Sequence, residues 1–214
     1  MSGYQLAENV SLAGRNTFRV PARAAMMADV SRADALAELF EFAMLREGPV
    51  LVLGEGSNLL FAGDFPGVAI CLTMAGVRIV RDDGDTALVR ADAGMNWNDL
   101  VAWTLARGLC GLENMALIPG TVGAAPIQNI GAYGTEVGEF IHVVEVFDRH
   151  GLGPVLPVLV ANDHRNGSAD GLRVADAGDD FHRVGFYLHP SAAPESLLSA
   201  SQFDALIDTM QLTP

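Results

Sequence analysis

Apolar positions set two clear rhythms along this chain. Between residues 31 and 48, Leu36, Leu39, Phe40, Ala43 and Met44 fall at i, i+3, i+4, i+7 and i+8, the spacing of one helix face. Ser31 supplies an N-cap with Asp34 at the third helical position, and Gly48-Pro49 stops the pattern. A short apolar stretch ending near Val30 precedes this helix, and Val50-Leu51-Val52-Leu53 follows it. The latter is an unbroken apolar run suited to a strand buried on both faces, so residues 20–53 predict a βαβ unit. Residues 68–72 read as a further strand, and 77–80 with 87–91 as a hairpin closed by Asp82-Asp83-Gly84-Asp85. A second helix starts at Asn96, an N-cap with Asp99 in the first turn. It buries a stripe of Trp97, Leu100, Val101, Thr104 and Leu105, and stops at Gly108. Trp97 and Trp103 suit core anchors. Residues 141–148 alternate as one more strand.

Two stretches break both rhythms. Residues 109–134, LCGLENMALIPGTVGAAPIQNIGAYG, hold glycine and proline at intervals that forbid a long helix, with Glu113 as their one acid. Gly120, Gly123, Gly131 and Gly134 let the main chain take unusual angles or approach a ligand closely. Ile118, Ala124, Ala125, Ile127, Ile130 and Ala132 between them form an apolar wall suited to a large planar group. Gln128 and Asn129 are placed to read ring edges, and the N–H groups of the Gly120–Gly123 turn to meet a phosphate or ring oxygen. Spacing alone fits a glycine-rich wide turn equally well. The other stretch, Gly54-Glu55-Gly56-Ser57-Asn58-Leu59-Leu60, sits at the carboxyl end of a strand, where successive N–H groups can turn toward a diphosphate. It lacks the third glycine of the dinucleotide fingerprint and the lysine of a P-loop, so by itself it reads first as a tight turn. A carboxylate aimed at phosphate would repel it, which assigns Glu55 to solvent or to backbone.

Composition narrows the chemistry. All 13 basic residues are arginine, against 26 acids, for a net charge of −13. Lysine chemistry is excluded, and an acidic surface without a basic patch disfavours nucleic acid. No apolar run approaches the roughly 18 residues of a membrane span, and the N-terminus lacks the pattern of a signal peptide, so the expected home is the cytoplasm. Cys71 and Cys110 lie in apolar surroundings, and the five histidines have no zinc spacing. Buried thiols and no metal site are expected.

In order along the chain stand Asn16-Thr17-Phe18, then Leu53-Gly54-Glu55-Gly56-Ser57-Asn58-Leu59-Leu60-Phe61, then Gly111-Leu112-Glu113-Asn114 through Ile118-Pro119-Gly120. Gln128-Asn129-Ile130-Gly131-Ala132-Tyr133-Gly134 closes the series. Together they closely resemble the UDP-N-acetylenolpyruvoylglucosamine reductase family, bacterial FAD enzymes that make UDP-N-acetylmuramate for peptidoglycan. The resemblance spans roughly residues 15–150, and the order of four motifs makes it specific where each alone is weak. It implies an α+β chain with an FAD-binding fold of the vanillyl-alcohol-oxidase (PCMH) type. A small βαβ subdomain would occupy 1–73, a larger mixed-sheet subdomain 74–150 and a divergent tail 151–214, with the substrate domain missing. It further implies noncovalent FAD, NADPH as hydride donor, a nucleotide-sugar substrate, and a part in cell wall biogenesis, cell shape and division. In that carry-over Gly54, Glu55, Gly56, Ser57, Asn58 and Leu59 cradle the diphosphate. Pro119, Gly120, Thr121, Gly123, Ala124, Gln128, Asn129, Ile130, Gly131, Ala132 and Tyr133 line the flavin.

After His150 the family pattern stops. Its Tyr-Arg-Asp motif with a substrate-polarising arginine, its Gly-Ser-Phe-Phe segment with a proton-donating serine and its late glutamate have no counterpart in residues 151–214. Gly185-Phe186-Tyr187 comes nearest. No catalytic residue is therefore assigned. The tail fits an out-of-frame or rearranged end, a shortened variant that folds differently, or a chain whose substrate domain comes from a partner. The abrupt stop favours the first. A short helix with Phe203, Leu206, Ile207 and Met210 on one side is expected near its end. With strands of the second sheet missing, flavin binding is expected to be weak or absent and turnover nil. The function reads as an impaired FAD-dependent reductase, or alternatively as a non-catalytic flavin or nucleotide-sugar binding remnant.

Overall fold

The computed structural model describes residues 2–147 and the backbone of Val158–Leu159 and Phe181–Pro190. The helix expected around Phe203 lies outside the described residues. Two sheets form two lobes. The first contains β1 (Tyr4–Ser11), β2 (Arg23–Val30), β3 (Val50–Val52) and β4 (Phe65–Leu72) in the order β1-β2-β4-β3. β2 and β3 both run parallel to β4, while β1 pairs antiparallel on the edge. The βαβ unit is therefore present, with β4 inserted between its two strands.

β4 explains why this lobe reads as continuous apolar sequence. Val68 and Ile70 face the helices and pack with Leu36, Leu39, Phe40 and Leu45. Ala69 and Cys71 face the other way, into a cluster with Leu12, Ala24, Met27 and Leu53. Both faces are covered, so period-two alternation disappears from the sequence. Burial pushes the Cys71 thiol from 9.0 up to about 11; the Arg15 guanidinium draws it partly back, and Asp29 adds to the rise. At about pH 8 a thiol-specific reagent is expected to label Cys71 only after denaturant opens the lobe, measured by mass spectrometry of the labelled peptides.

The single helix expected over 31–48 is instead two short ones, α1 (Ala35–Leu39) and α2 (Ala43–Glu47). Phe42 is extended, with ψ 126°, and this rephases the second turn. Leu45 becomes fully buried, and Met44, expected on the buried face, is 47% exposed. Ser31 does not cap; its hydroxyl donates to the Gly3 carbonyl.

The second lobe is built on the hairpin β5 (Val77–Asp82) and β6 (Ala87–Asp92), followed by α3 (Trp97–Leu105) and the short strand β7 (Leu109–Cys110). Next come α4 (Ala124–Gln128), the two-residue strands β8 (Gly131–Ala132) and β9 (Thr135–Glu136), and β10 (Ile141–Val146). β11 (Val158–Leu159) and β12 (Phe181–Pro190) complete a sheet of order β11-β10-β12-β6-β5, with β7 pairing β12. Every pairing in it is antiparallel, so the mixed pairing belongs to the smaller sheet and not to the larger one. Against the expected loss of strands from the second sheet, β12 from the tail lies between β6 and β10.

α3 forms as its sequence predicts. The Asn96 side-chain oxygen accepts from the N–H groups of Asn98 at 2.9 Å and Asp99 at 3.2 Å; Trp97, Leu100 and Val101 join a core cluster with Val89, Ala91, Met115 and Val122, and the buried Thr104 hydroxyl donates to the Val101 carbonyl at 2.8 Å. No described helix is long and apolar enough to cross a membrane.

Candidate functional site

The loop leaving β3 meets the turn that precedes α4, and a cleft opens between them. Val52, Leu53 and Gly54 line it from the small lobe together with Leu72, while Ala93, Thr121, Gly123, Ala124 and Ile127 line it from the larger one. It is partly open to solvent, with a volume of about 50 Å³. Two glycine bends more than sixty residues apart thus share one cavity.

Close packing shapes both bends. Gly56 has φ +67°, and a Cβ there would lie 2.1 Å from the Arg15 carbonyl oxygen and 2.9 Å from the Asn16 Cα. That backing surface is itself pinned: the buried Asn16 amide donates to the carbonyls of Leu12 and Val20 at 2.7 and 3.2 Å and accepts from the Val20 N–H at 3.0 Å. The Thr17 N–H then donates to the Gly56 carbonyl at 3.3 Å. On the opposite wall a Cβ on Gly123 would lie 2.6 Å from that of Ala93, and one on Gly54 would lie 2.9 Å from Thr121 Oγ1.

Hydrogen bonds tie the bends together. The Glu55 carboxylate accepts from the Gly120 N–H at 3.0 Å and from Asn96 Nδ2 at 2.6 Å. The Ser57 hydroxyl donates to the Pro119 carbonyl at 3.3 Å. Glu55 is thus tied to backbone, the second of the two environments assigned to it.

Several residues expected to face a ligand are engaged elsewhere. The N–H groups of Gly120, Val122 and Gly123 already donate, to Glu55, to the Met95 carbonyl at 2.8 Å and to the Ala93 carbonyl at 2.9 Å. They are not free to meet a phosphate, because the turn is held as an extension of the larger lobe. The Asn129 amide donates to Glu136 at 2.8 Å and accepts from the Gly138 N–H at 3.2 Å, which fixes its left-handed backbone and removes it as a reader of ring edges. Leu59 packs its side chain against the small-lobe core, and Ile130 against the larger one. Gly131 and Ala132 form β8, and Gln128 and Tyr133 are exposed; the cleft lining stops at Ile127. The N–H groups of residues 54–58, in contrast, donate to no other described residue. Leu72, Ala93 and Asn96 join the site unannounced. Asn96 was visible only as a helix cap, and nothing in sequence spacing links it to Glu55.

This geometry stands beside three comparisons. The sequence family described as FAD binding domain matches residues 24–152, a span that contains both bends and the cleft. The chain belongs to this FAD-binding domain family. Along the matched span it is a relative of UDP-N-acetylenolpyruvoylglucosamine reductases. It is 53% identical over 148 residues to the protein of that name from Xanthomonas oryzae pv. oryzae (strain PXO99A), covering 69% of this chain and 42% of that protein. It is 52% identical over 149 residues to the one from Xanthomonas euvesicatoria pv. vesicatoria (strain 85-10), covering 70% and 43%. The chain therefore spans about two fifths of the length of the curated relatives it matches. Among solved structures, the UDP-N-acetylenolpyruvylglucosamine reductase of Thermus caldophilus superposes with a TM-score of 0.69 at 24% identity, covering 99% of this chain and 71% of that one. A solvent-stable cholesterol oxidase superposes with a TM-score of 0.58 at 15% identity, covering 87% and 38%. At these identities the solved structures establish the fold alone, and that fold is the FAD-binding fold of the vanillyl-alcohol-oxidase type.

The residues present fit such a cofactor. Unengaged main-chain N–H groups at 54–58 suit a diphosphate, and the small residues Ala93, Gly123 and Ala124 with Ile127 leave a flat apolar face for a ring system.

Proposed function

We propose that this chain binds FAD noncovalently in the cleft between its lobes, and that it descends from the reductases that convert UDP-N-acetylenolpyruvoylglucosamine to UDP-N-acetylmuramate with NADPH. The reading rests on one observation: the Gly54 loop and the Thr121–Gly123 turn line a single cleft from opposite lobes. Gly54, Gly56, Ser57 and Asn58 offer main-chain N–H groups and short side chains to the diphosphate. Pro119, Gly120, Thr121 and Gly123 with Ala124 and Ile127 set the wall against which the ring lies. Gln128 and Tyr133 are exposed and do not belong to the cleft lining. When bound, FAD supplies the two-electron chemistry that carries hydride from NADPH to the enolpyruvyl double bond. The protein's share is to exclude water behind the ring and to hold it still.

These 214 residues carry no counterpart of the substrate-polarising arginine, proton-donating serine or late glutamate that the resemblance implies. Weak or absent flavin binding is the expectation for a sheet missing strands; with β12 seated between β6 and β10, we instead read the chain as competent for the cofactor and impaired in the reduction, acting in the cytoplasm. The alternative is a non-catalytic flavin or nucleotide-sugar binding remnant. The test is an absorbance spectrum of the purified chain after incubation with FAD and gel filtration, followed by NADPH oxidation with and without the enolpyruvyl nucleotide-sugar. Paired flavin bands that co-elute with protein, without substrate-dependent NADPH loss, are expected. Absence of the bands removes the cofactor reading, and substrate-dependent oxidation removes the impairment.

A further inference from the structure

We propose that Glu55, an exposed side chain, is a positioning residue, a clasp that holds the two glycine bends at the separation the cleft requires, and that it does not itself contact the cofactor. Glu55 follows β3 in the small lobe, and both of its partners belong to the larger one. Its two carboxylate oxygens are divided between them, Oε2 on the Gly120 N–H at 3.0 Å and Oε1 on Asn96 Nδ2 at 2.6 Å. The remaining side-chain tie between the bends, from the Ser57 hydroxyl to the Pro119 carbonyl, is neutral and longer at 3.3 Å. Charge-assisted bonds are roughly twice as strong as neutral ones, so Glu55 dominates the connection.

Asn96 makes the clasp rigid. Its oxygen is fixed by capping α3, so its NH₂ group points in one direction, and that direction is Glu55. The carboxylate also rests beside the N-terminus of a nine-residue helix, where the helix dipole favours an anion. In this way Glu55 sets the gap between the walls.

The role in cofactor retention rests on the flavin reading above; the clasp itself does not. Three full-length variants test it. Asn96→Asp keeps the helix cap, since aspartate is as good an N-cap as asparagine, but sets a second carboxylate against Glu55. Glu55→Gln loses one of the two acceptor contacts. The double variant E55Q/N96D restores a donor facing an acceptor, with the glutamine NH₂ in place of the asparagine NH₂. Two readouts are used. In cofactor-free protein, hydrogen exchange of the Gly120 amide is expected to quicken about tenfold in N96D and to return within about threefold of wild type in the double variant. The Gly123 amide, held by Ala93 within the larger lobe, is the internal control and is expected to stay unchanged. With FAD loaded, the rate of flavin release, followed by recovery of flavin fluorescence, is expected to show the same order. A double variant no better than N96D, or a Gly120 amide that exchanges at the same rate in all four proteins, overturns the clasp. If wild type binds no flavin the functional reading fails, and the exchange measurements still decide the clasp.

Discussion

Replacing Gly56 by alanine is expected to abolish flavin retention and to destabilise the small lobe, while alanine at Gly63 leaves both unchanged. The added methyl group at position 56 would stand 2.1 Å from the Arg15 carbonyl oxygen and 3.0 Å from its carbon. The left-handed backbone, φ +67°, costs a non-glycine residue about 1–2 kcal/mol, and overpacking adds about 1–3 kcal/mol more. The chain cannot relax backward, because the Asn16 amide locks the 12–20 loop behind it. The remaining route is forward, into the space proposed for the diphosphate, so stability and binding are expected to be lost together. At Gly63 a Cβ meets nothing within 4 Å, which makes Gly63→Ala the matched control. Urea denaturation and flavin titration of the two variants decide the point; equal affinity in G56A and wild type would show that this packing does not shape the loop.

Trp97→Ala is expected to have the largest effect on stability. Trp97 is 1% exposed at the start of α3, and its indole N–H donates to the Met115 carbonyl at 2.8 Å. Its main-chain N–H donates to the Gly120 carbonyl at 3.0 Å. Truncation removes about 3–5 kcal/mol of packing and strands a buried carbonyl at about 1–3 kcal/mol. Against a total of about 5–15 kcal/mol for a folded domain, this leaves the larger lobe close to unfolded. The main-chain bond to Gly120 survives the substitution, but the lost side chain shares a core cluster with Val122 and Ala125 behind the cleft, so flavin affinity is expected to fall even at temperatures where the variant stays folded. Thermal denaturation followed by circular dichroism, with and without FAD, measures both; a variant that melts within a few degrees of wild type would remove Trp97 from the framework of the cleft.

How much of this was legible in the sequence differs from element to element, for physical reasons. α3 was readable because its cap, its apolar stripe and its terminating glycine all act within a dozen residues. The helix over 31–48 was readable only as helical character: the extended Phe42 shifts the phase by one residue, which exchanges Met44 for Leu45 in the core. β1 left no trace, since nearly all of its side chains are exposed and an edge strand exposed on both faces has no hydrophobic period. At the site, the glycines announced that two backbone segments approach something closely. They did not reveal that one is backed by Arg15 and Asn16, the other by Ala93. The contact from Glu55 to Gly120 spans 65 residues and has no local signature. Local spacing also overstated the ligand-facing set, because it cannot show that Asn129, Leu59 and the amides of Gly120, Val122 and Gly123 already have protein partners.

The position of β12 bears on how this protein reaches its native state. The strand made last on the ribosome among those described is the one that separates β6 from β10. The larger lobe therefore cannot be assembled in the order in which it is synthesised. Until residue 190 has emerged, the edges of β6 and β10 stand open, ready to pair with each other or with a neighbouring nascent chain. The small lobe's four-stranded sheet, complete by residue 72, faces no such wait, so chaperone dependence during synthesis should fall on the second half of the polypeptide.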